Sequence, residues 1–189
     1  IVEIRRKETI ESFAILGIGR EQIQYIDFPD GGLCNFQGRR VAQPGEPAIA
    51  GFTGLQNAYT WHLRRVRPTA LLTVNPVDLH PDHQISCREL MISVFHAIGV
   101  IWPELGEPIE HLPTVYETTT YSNFVEPPNL ELRADPAALE TKLRCIAAYR
   151  SQAQIENFIQ RIRNGGPYEY MREYHFPLYS PSHYRSLFE

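Results

Sequence analysis

Residues 69–83 read TALLTVNPVDLHPDH, an apolar run that passes directly into a loop rich in aspartate and histidine. The apolar run at 69–74 predicts a strand that is covered on both faces. Beyond the loop, apolar residues recur at helical spacing from 85 to 98, which predicts an amphipathic helix. A buried strand that leads through a short loop into a helix is typical of layered α/β domains with parallel strands.

The rest of the chain extends this alternation. The predicted elements are a helix from residue 4 that ends near Gly17, a strand at 22–28, a turn at 29–32 in which both glycines take positive φ, a helix at 55–66, a strand at 114–119, a helix that begins at Asp135-Pro136, a second helix that ends at 164–166, and an irregular aromatic stretch at 168–184. The sequence therefore predicts one α/β domain whose mostly parallel sheet is flanked by helices.

Composition excludes several classes of protein. The chain has 189 residues, of which 43% are hydrophobic and 21% charged, and this suffices for one domain with a core. A net charge of −4 argues against a general nucleic-acid binder. No run of apolar residues is long enough to predict a membrane-spanning helix. Three widely spaced cysteines do not predict a disulfide framework, so we expect buried thiols in a reducing compartment, the cytoplasm.

Ligand-type side chains concentrate in the loop after the strand at 69–74. Asp78, His80, Asp82 and His83 lie within six residues, at the edge of the sheet where parallel α/β proteins bind ligands. A histidine at the start of a helix can be presented rigidly to a divalent cation, and Asp82 could accept the second ring N–H of an imidazole. Alternatively, the two aspartates cap the helix and the histidines are only solvated. The spacing alone leaves both interpretations open.

Other catalytic motifs have no support in the sequence. Gly-x-Ser-x-Gly, Gly-x-Gly-x-x-Gly, a P-loop and Cys-x-x-Cys are all absent. Cys34 lies in a glycine-rich loop with no evident base beside it. The loop at 75–83 therefore remains the best candidate for a site.

Several segments together resemble the PIG-L/LmbE-type zinc-dependent N-acetylglucosaminyl deacetylases. The matching segments, in the family's order, are Arg5-x-x-Glu8 with Leu16-Gly17, Phe28-Pro29-Asp30-Gly31, Arg67-Pro68 before the apolar strand, Asp78-x-His80-Pro81-Asp82-His83, and a late helix with Lys142 and Ser151-Gln152. The resemblance implies a Rossmann-like fold. It also implies a hydrolase that uses zinc-activated water to remove an N-acetyl group from an amino sugar or glycoconjugate.

The resemblance also implies roles for individual residues. His83 matches the metal-ligating histidine. His80 matches the catalytic histidine that stabilises the tetrahedral intermediate or protonates the leaving amine. Arg5 and Asp30 match positions that line the sugar site. Asp78 and Asp82 are assigned supporting contacts around the ligand, and Tyr116 and Glu117 lie either at the pocket border or at the sheet edge. We expect Zn²⁺ as cofactor and a small amino-sugar substrate, and a homo-oligomer stays open.

One departure from the family pattern is large. The family's first motif, His-Pro-Asp-Asp-Glu, supplies a histidine ligand, an aspartate ligand and the general base, and these 189 residues do not contain it. We therefore expect that the domain at 1–189 lacks its N-terminal βα unit. Two alternatives follow: a non-catalytic carbohydrate-binding or scaffold protein that has lost the metal site, and a zinc amidase that acts on another amide.

Overall fold

The computed structural model of the chain describes residues 1–176 and 180–188. Helices and strands alternate through most of this length. In chain order they are α1 (Val2–Ile15), β1 (Arg40–Val41), β2 (Phe52–Thr53), α2 (Leu55–Val66), β3 (Ala70–Val74), α3 (Pro81–Ile98), β4 (Thr114–Thr118), β5 (Leu130–Arg133), α4 (Pro136–Ala147), α5 (Ile155–Gly165), β6 (Tyr168–Tyr174) and α6 (Pro181–Arg185). Among the described residues, no helix is both long and apolar enough to cross a bilayer.

Four strands form the main sheet, in the order β3-β4-β6-β5. The β3–β4 pair is parallel, whereas β6 runs antiparallel to both β4 and β5. The predicted α/β class is confirmed, but the sheet is mixed rather than mostly parallel over the described part of the chain. The difference comes from β6, which occupies the first part of the aromatic stretch expected to be irregular. Residues 177–179 of that stretch lie outside the described residues.

The predicted helices around the loop at 75–83 are confirmed, and their ends follow local signals. His80 is the N-cap of α3 and Pro81 takes the first helical position. Arg67 adopts left-handed φ, 53°, and ends α2 immediately before Pro68. At the start of α4, the carboxylate of Asp135 accepts the backbone N–H of Ala138 at 2.7 Å.

Two predictions about strands were wrong. The strand predicted at 22–28 does not form in the described chain: Gln22 ends a 3-10 turn, Asp27 has a left-handed φ of 61°, and no neighbouring backbone provides a ladder of hydrogen bonds. β3 was expected to be covered on both faces, yet Leu72 is 62% exposed, and β3 is an edge strand of the sheet that the described residues form. Neither pairing nor edge position can be derived from a local apolar pattern.

The core lies between the sheet and the helix pair α2–α3. Its buried members are Leu63, Val94, Ala97, Ile109 and Val115, with Leu71, Leu90 and Met91 packed against them. This core fixes α3 against β3 and β4, so the N-terminal turn of α3 is held rigidly at the carboxyl edge of β3. The loop at 75–83 is therefore anchored at both of its ends.

Candidate functional site

Two imidazoles lie on the first turn of α3. His80, the N-cap, uses Nδ1 to accept the backbone N–H of Asp82 at 3.2 Å, so its neutral ring carries the proton on Nε2. His83 follows three residues later, and the two ring centroids are 4.8 Å apart. The cap therefore fixes His80, and the helix sets His83 beside it.

Asp78 holds this pair in place. Its carboxylate is fully buried and accepts three hydrogen bonds: from Nδ1 of His83 at 3.0 Å, from the backbone N–H of His80 at 2.9 Å, and from the backbone N–H of Tyr121 at 3.0 Å. Burial by itself would raise the pKa of Asp78, but these hydrogen bonds and the nearby imidazole hold it below its ordinary value. An ionised Asp78 keeps the proton of His83 on Nδ1. The Nε2 of His83, which has no hydrogen-bond partner in the described residues, is then free to bind a ligand.

Asp82 has a different set of partners from the one the sequence suggests. The residue is 8% exposed, and its carboxylate accepts the backbone N–H groups of Gly31 at 2.6 Å and Leu33 at 3.2 Å without bonding an imidazole. The cap of α3 is His80, so neither aspartate caps the helix as the alternative interpretation required. Asp82 instead ties the turn that carries Asp30 to the first turn of α3.

That turn presents Asp30 to solvent. The side chain of Asp30 is exposed, and Gly31 beside it has φ of +74°. Gly32 has φ of −134°, so only one of the two glycines takes the positive φ predicted for both. Because Asp82 bonds the backbone beside Asp30, the turn that carries Asp30 is held next to the histidine pair.

Arg5 and Glu8 on α1 are not the simple surface pair that their spacing permits. Glu8 is buried and accepts the backbone N–H of Ser151 at 2.7 Å and its hydroxyl at 2.6 Å. The Ser151 hydroxyl bond lowers the pKa of Glu8 despite burial, with help from the charge of Arg5. Ser151 lies in the turn between α4 and α5 rather than in a late helix. Arg5 is half-buried, and its charge acts on Glu8, which holds this turn.

Tyr121 is a site residue that the sequence analysis missed. Its ring lies nearly parallel to His83, with centroids 5.6 Å apart, and 6.4 Å from His80. The residue follows β4, the strand next to β3, so both loops leave the same edge of the sheet. The position beyond β4, rather than Tyr116 and Glu117 within it, was the available signal.

A metal ion would find one suitable ligand here. His83 has a free Nε2 and a carboxylate on Nδ1, which is how metal-binding histidines are commonly oriented. Among the described residues, however, no group of three or more histidine, cysteine, aspartate and glutamate side chains is arranged to hold a metal. The arrangement fits a single zinc ligand and not a complete site.

Volume alone would place the site elsewhere. A cavity of about 610 Å³ lies between residues 24–28 and α2, and neither His80 nor His83 lines it. We place the candidate site at the imidazoles because oriented, titratable side chains with defined partners identify catalytic chemistry better than volume does. The three cysteines add no chemistry there: all are free, and Cys34 is exposed rather than buried as expected.

Comparisons with known proteins agree on family and fold. The family model PIG-L, described as GlcNAc-PI de-N-acetylase, matches residues 1–95, half of the chain. No curated protein matches the sequence.

Three solved structures share the fold at low identity. The conserved protein TT1542 from Thermus thermophilus is 22% identical with a TM-score of 0.69, over 96% of this chain and 77% of its own. GalB, the 4-carboxy-2-hydroxymuconate hydratase from Pseudomonas putida, is 17% identical with a TM-score of 0.60, over 94% and 74%. The N,N'-diacetylchitobiose deacetylase from Pyrococcus horikoshii is 20% identical with a TM-score of 0.59, over 91% of this chain but only 63% of its own.

Proposed function

This chain belongs to the PIG-L family, and from that premise we propose that it acts as a zinc-dependent hydrolase that removes an N-acetyl group from an amino sugar or a glycoconjugate. The description of the family model supports a hydrolytic deacetylase. Zinc and the amino-sugar substrate are the finer parts of the proposal. They rest on the resemblance of the 78–83 motif and on the geometry around it.

The observation that carries the proposal is the contact between Asp78 and His83. Because Asp78 accepts the Nδ1 proton, His83 offers the Nε2 lone pair to zinc. When bound, zinc supplies a Lewis acid that polarises an amide carbonyl and lowers the pKa of water.

The other residues act on the substrate. The Nε2–H of the neutral His80 ring can donate a hydrogen bond to the oxygen anion that develops on the amide carbon. Donation of a proton to the departing amine would require the ring first to be protonated on Nδ1 and to give up its contact with the backbone N–H of Asp82. Asp30, exposed on the turn that Asp82 holds, can accept hydrogen bonds from sugar hydroxyl groups. Arg5 is proposed as a further sugar contact.

A complete metal site needs two more ligands and a general base. The family's His-Pro-Asp-Asp-Glu motif would supply them, and it is not among these 189 residues. The proposal therefore requires that residues outside this sequence contribute that motif. An intact mass of the natural protein well above 21.8 kDa would show that further residues exist, and their sequence would show whether they include the motif.

The test uses the natural full-length protein and three single variants. His83→Ala should lose zinc, measured by atomic emission, whereas His80→Ala should keep zinc and lose turnover of N-acetylglucosamine conjugates by about 100-fold or more. His111→Ala, at an exposed histidine, is the control and should change neither. Full zinc content in His83→Ala would overturn the ligand assignment, and full turnover in His80→Ala would make that residue a bystander.

A second function is favoured by the single ligand that the described residues provide. If the natural protein has a mass of 21.8 kDa and binds no zinc, a non-catalytic carbohydrate-binding or scaffold role becomes the better proposal. Zinc binding without turnover of any N-acetyl sugar would instead favour a zinc amidase with a different amide substrate.

A further inference from the structure

An apolar cavity of about 280 Å³ adjoins the candidate site. Its walls are Ile146, Tyr149, Ile155, Phe158 and Ile162, together with Tyr121. Gln152 completes the lining, and no charged side chain of the described residues takes part in it. The chemistry of this surface favours a hydrocarbon or aromatic group rather than a sugar ring.

The cavity exists because the apolar face of α5 is only partly covered. Ile155, Phe158, Ile159 and Ile162 follow helical spacing along one face, yet no residue of α5 is fully buried. The helix packs on α4, and the space left over beside Tyr149 forms the cavity. Exposed apolar surface of this kind marks sites that bind a protein, a membrane or a ligand.

Tyr121 connects the cavity to the imidazoles. Tyr121 is one of the residues that line the cavity, and its ring also stacks on His83 with 5.6 Å between centroids. Tyr121 thus contacts His83 and also lines the cavity, which puts the cavity within reach of a substrate held beside His83. We propose that this cavity is a subsite for an apolar substituent of the substrate, an inference that rests on the proposed function.

The size of the cavity agrees with binding of one substituent rather than of a whole ligand. Pockets that enclose a whole small ligand commonly span about 300–1,000 Å³. At about 280 Å³, this cavity takes one substituent of a molecule whose reacting amide lies at the imidazoles. The substituent is either an acyl chain longer than acetyl or an apolar aglycone on the sugar.

Two series of compounds distinguish these sources in the natural full-length protein. The first compares N-hexanoylglucosamine with N-acetylglucosamine, and the second compares phenyl with methyl N-acetyl-β-glucosaminide. Burial of several carbon atoms should lower KM by about tenfold or more for the compound whose substituent enters the cavity. A preference in the first series assigns the cavity to the acyl chain, and one in the second assigns it to the aglycone. Equal KM values within both series would overturn the subsite.

Matched variants on one helix test the location. Ile162→Ala removes part of the cavity wall and should reduce the KM preference for the apolar compound several-fold. Ile159→Ala, the same change at a residue that does not line the cavity, should leave that preference unchanged. Phe158→Leu is the milder second variant if Ile162→Ala does not fold. An equal preference in both isoleucine variants would contradict the location.

Binding without turnover separates the two proposals. The same compounds are titrated by calorimetry into His80→Ala, or into the unaltered protein if it hydrolyses none of them. A binding preference for one apolar compound, lost in Ile162→Ala, supports the subsite even where deacetylation is absent and the proposed function has failed. Deacetylation with no such binding preference overturns the subsite alone.

Discussion

The buried carboxylate of Asp78 accepts a hydrogen bond from Nδ1 of His83 at 3.0 Å. The same carboxylate accepts the backbone N–H groups of His80 and Tyr121, so one side chain orients the imidazole of His83, holds the backbone of His80, and joins the loops that follow β3 and β4. Asp78 was expected to have only a supporting role. In the structure it holds the ring of His83 directly and the backbone of His80, so it supports both members of the histidine pair.

Asp78→Asn should destabilise the protein by about 2–4 kcal/mol. An amide has one acceptor oxygen, so it cannot serve all three donors, and its NH₂ group would face a buried N–H. The free energy of unfolding in urea measures the loss. Asp135→Asn is the matched control: asparagine caps helices as well as aspartate does, so this change should cost less than about 0.5 kcal/mol. Equal losses in the two variants would show that Asp78 is no more important to stability than an ordinary helix cap.

The stability contributed by Asp78 should depend on pH in a defined direction. The folded state lowers its pKa, so the contribution is complete above the unfolded value of about 3.9 and is lost as pH falls through the lower folded value. The difference in stability between the natural protein and Asp78→Asn should therefore be constant near neutral pH and shrink in acid. Thermal unfolding between about pH 2.5 and pH 7 checks this. A difference that grows in acid would contradict the direction of the pKa shift.

Local patterns predicted the helices and the loop, but not the contacts made over long distances. The α2 bounds and the start of α3 follow from apolar spacing, proline and glycine, which act within a few residues. The antiparallel course of β6 and the edge position of β3 depend on which strands become neighbours, and no short pattern encodes that. For the same reason the sequence identified the segment that carries the two imidazoles, but it placed both in a loop before the helix, gave Asp82 the wrong partner and missed Tyr121.

Asp82→Ala should loosen the turn at 29–33. The carboxylate of Asp82 is the acceptor for the backbone N–H groups of Gly31 and Leu33, and its removal leaves both without that partner. We expect a loss of about 1–3 kcal/mol in unfolding free energy and faster amide hydrogen exchange at those two residues. Asp82→Asn, which keeps one acceptor oxygen, should have an unfolding free energy between those of Asp82→Ala and the natural protein. Unchanged amide exchange at Gly31 in the alanine variant would show that the turn keeps its conformation without Asp82.

Arg64→Lys should be among the most destabilising conservative substitutions in the chain. Arg64 is 5% exposed, and the five N–H groups of its guanidinium lie within hydrogen-bond distance of six backbone carbonyls, so at least one N–H is shared between two acceptors. The acceptors are His96, Ala97, Gly99, Ile101, Trp102 and Gly106. A lysine ammonium has three donors, so several of these buried carbonyls would lose their partner, at a cost of about 3 kcal/mol or more. Urea unfolding of Arg64→Lys against Arg65→Lys, at the exposed neighbouring arginine, measures the effect, and similar midpoints would refute it.

Glu117→Gln should stabilise the protein near neutral pH. Glu117 lies on β4, is 5% exposed, and has as its nearest cation Arg172 on β6, with Oε2 and Nη1 4.0 Å apart. Burial raises the pKa of Glu117, and the charge of Arg172 offsets only part of this rise. A carboxyl whose pKa is raised by folding gives full stability below its unfolded value of about 4.3, and that stability is lost as pH rises towards the folded value. Glutamine resembles the protonated acid at every pH, so the glutamine variant does not lose this stability as pH rises.

The Tm of Glu117→Gln should therefore exceed that of the natural protein at pH 7 and converge with it below about pH 4. Glu131→Gln, at an exposed position on β5, removes the same charge without removing a buried one, so it should change Tm little at either pH. If Glu117→Gln lowers Tm at pH 7, the contact between Glu117 and Arg172 outweighs the cost of burying the carboxylate. The charge pair across β4 and β6 would then stabilise the antiparallel half of the sheet, the part that the sequence did not predict.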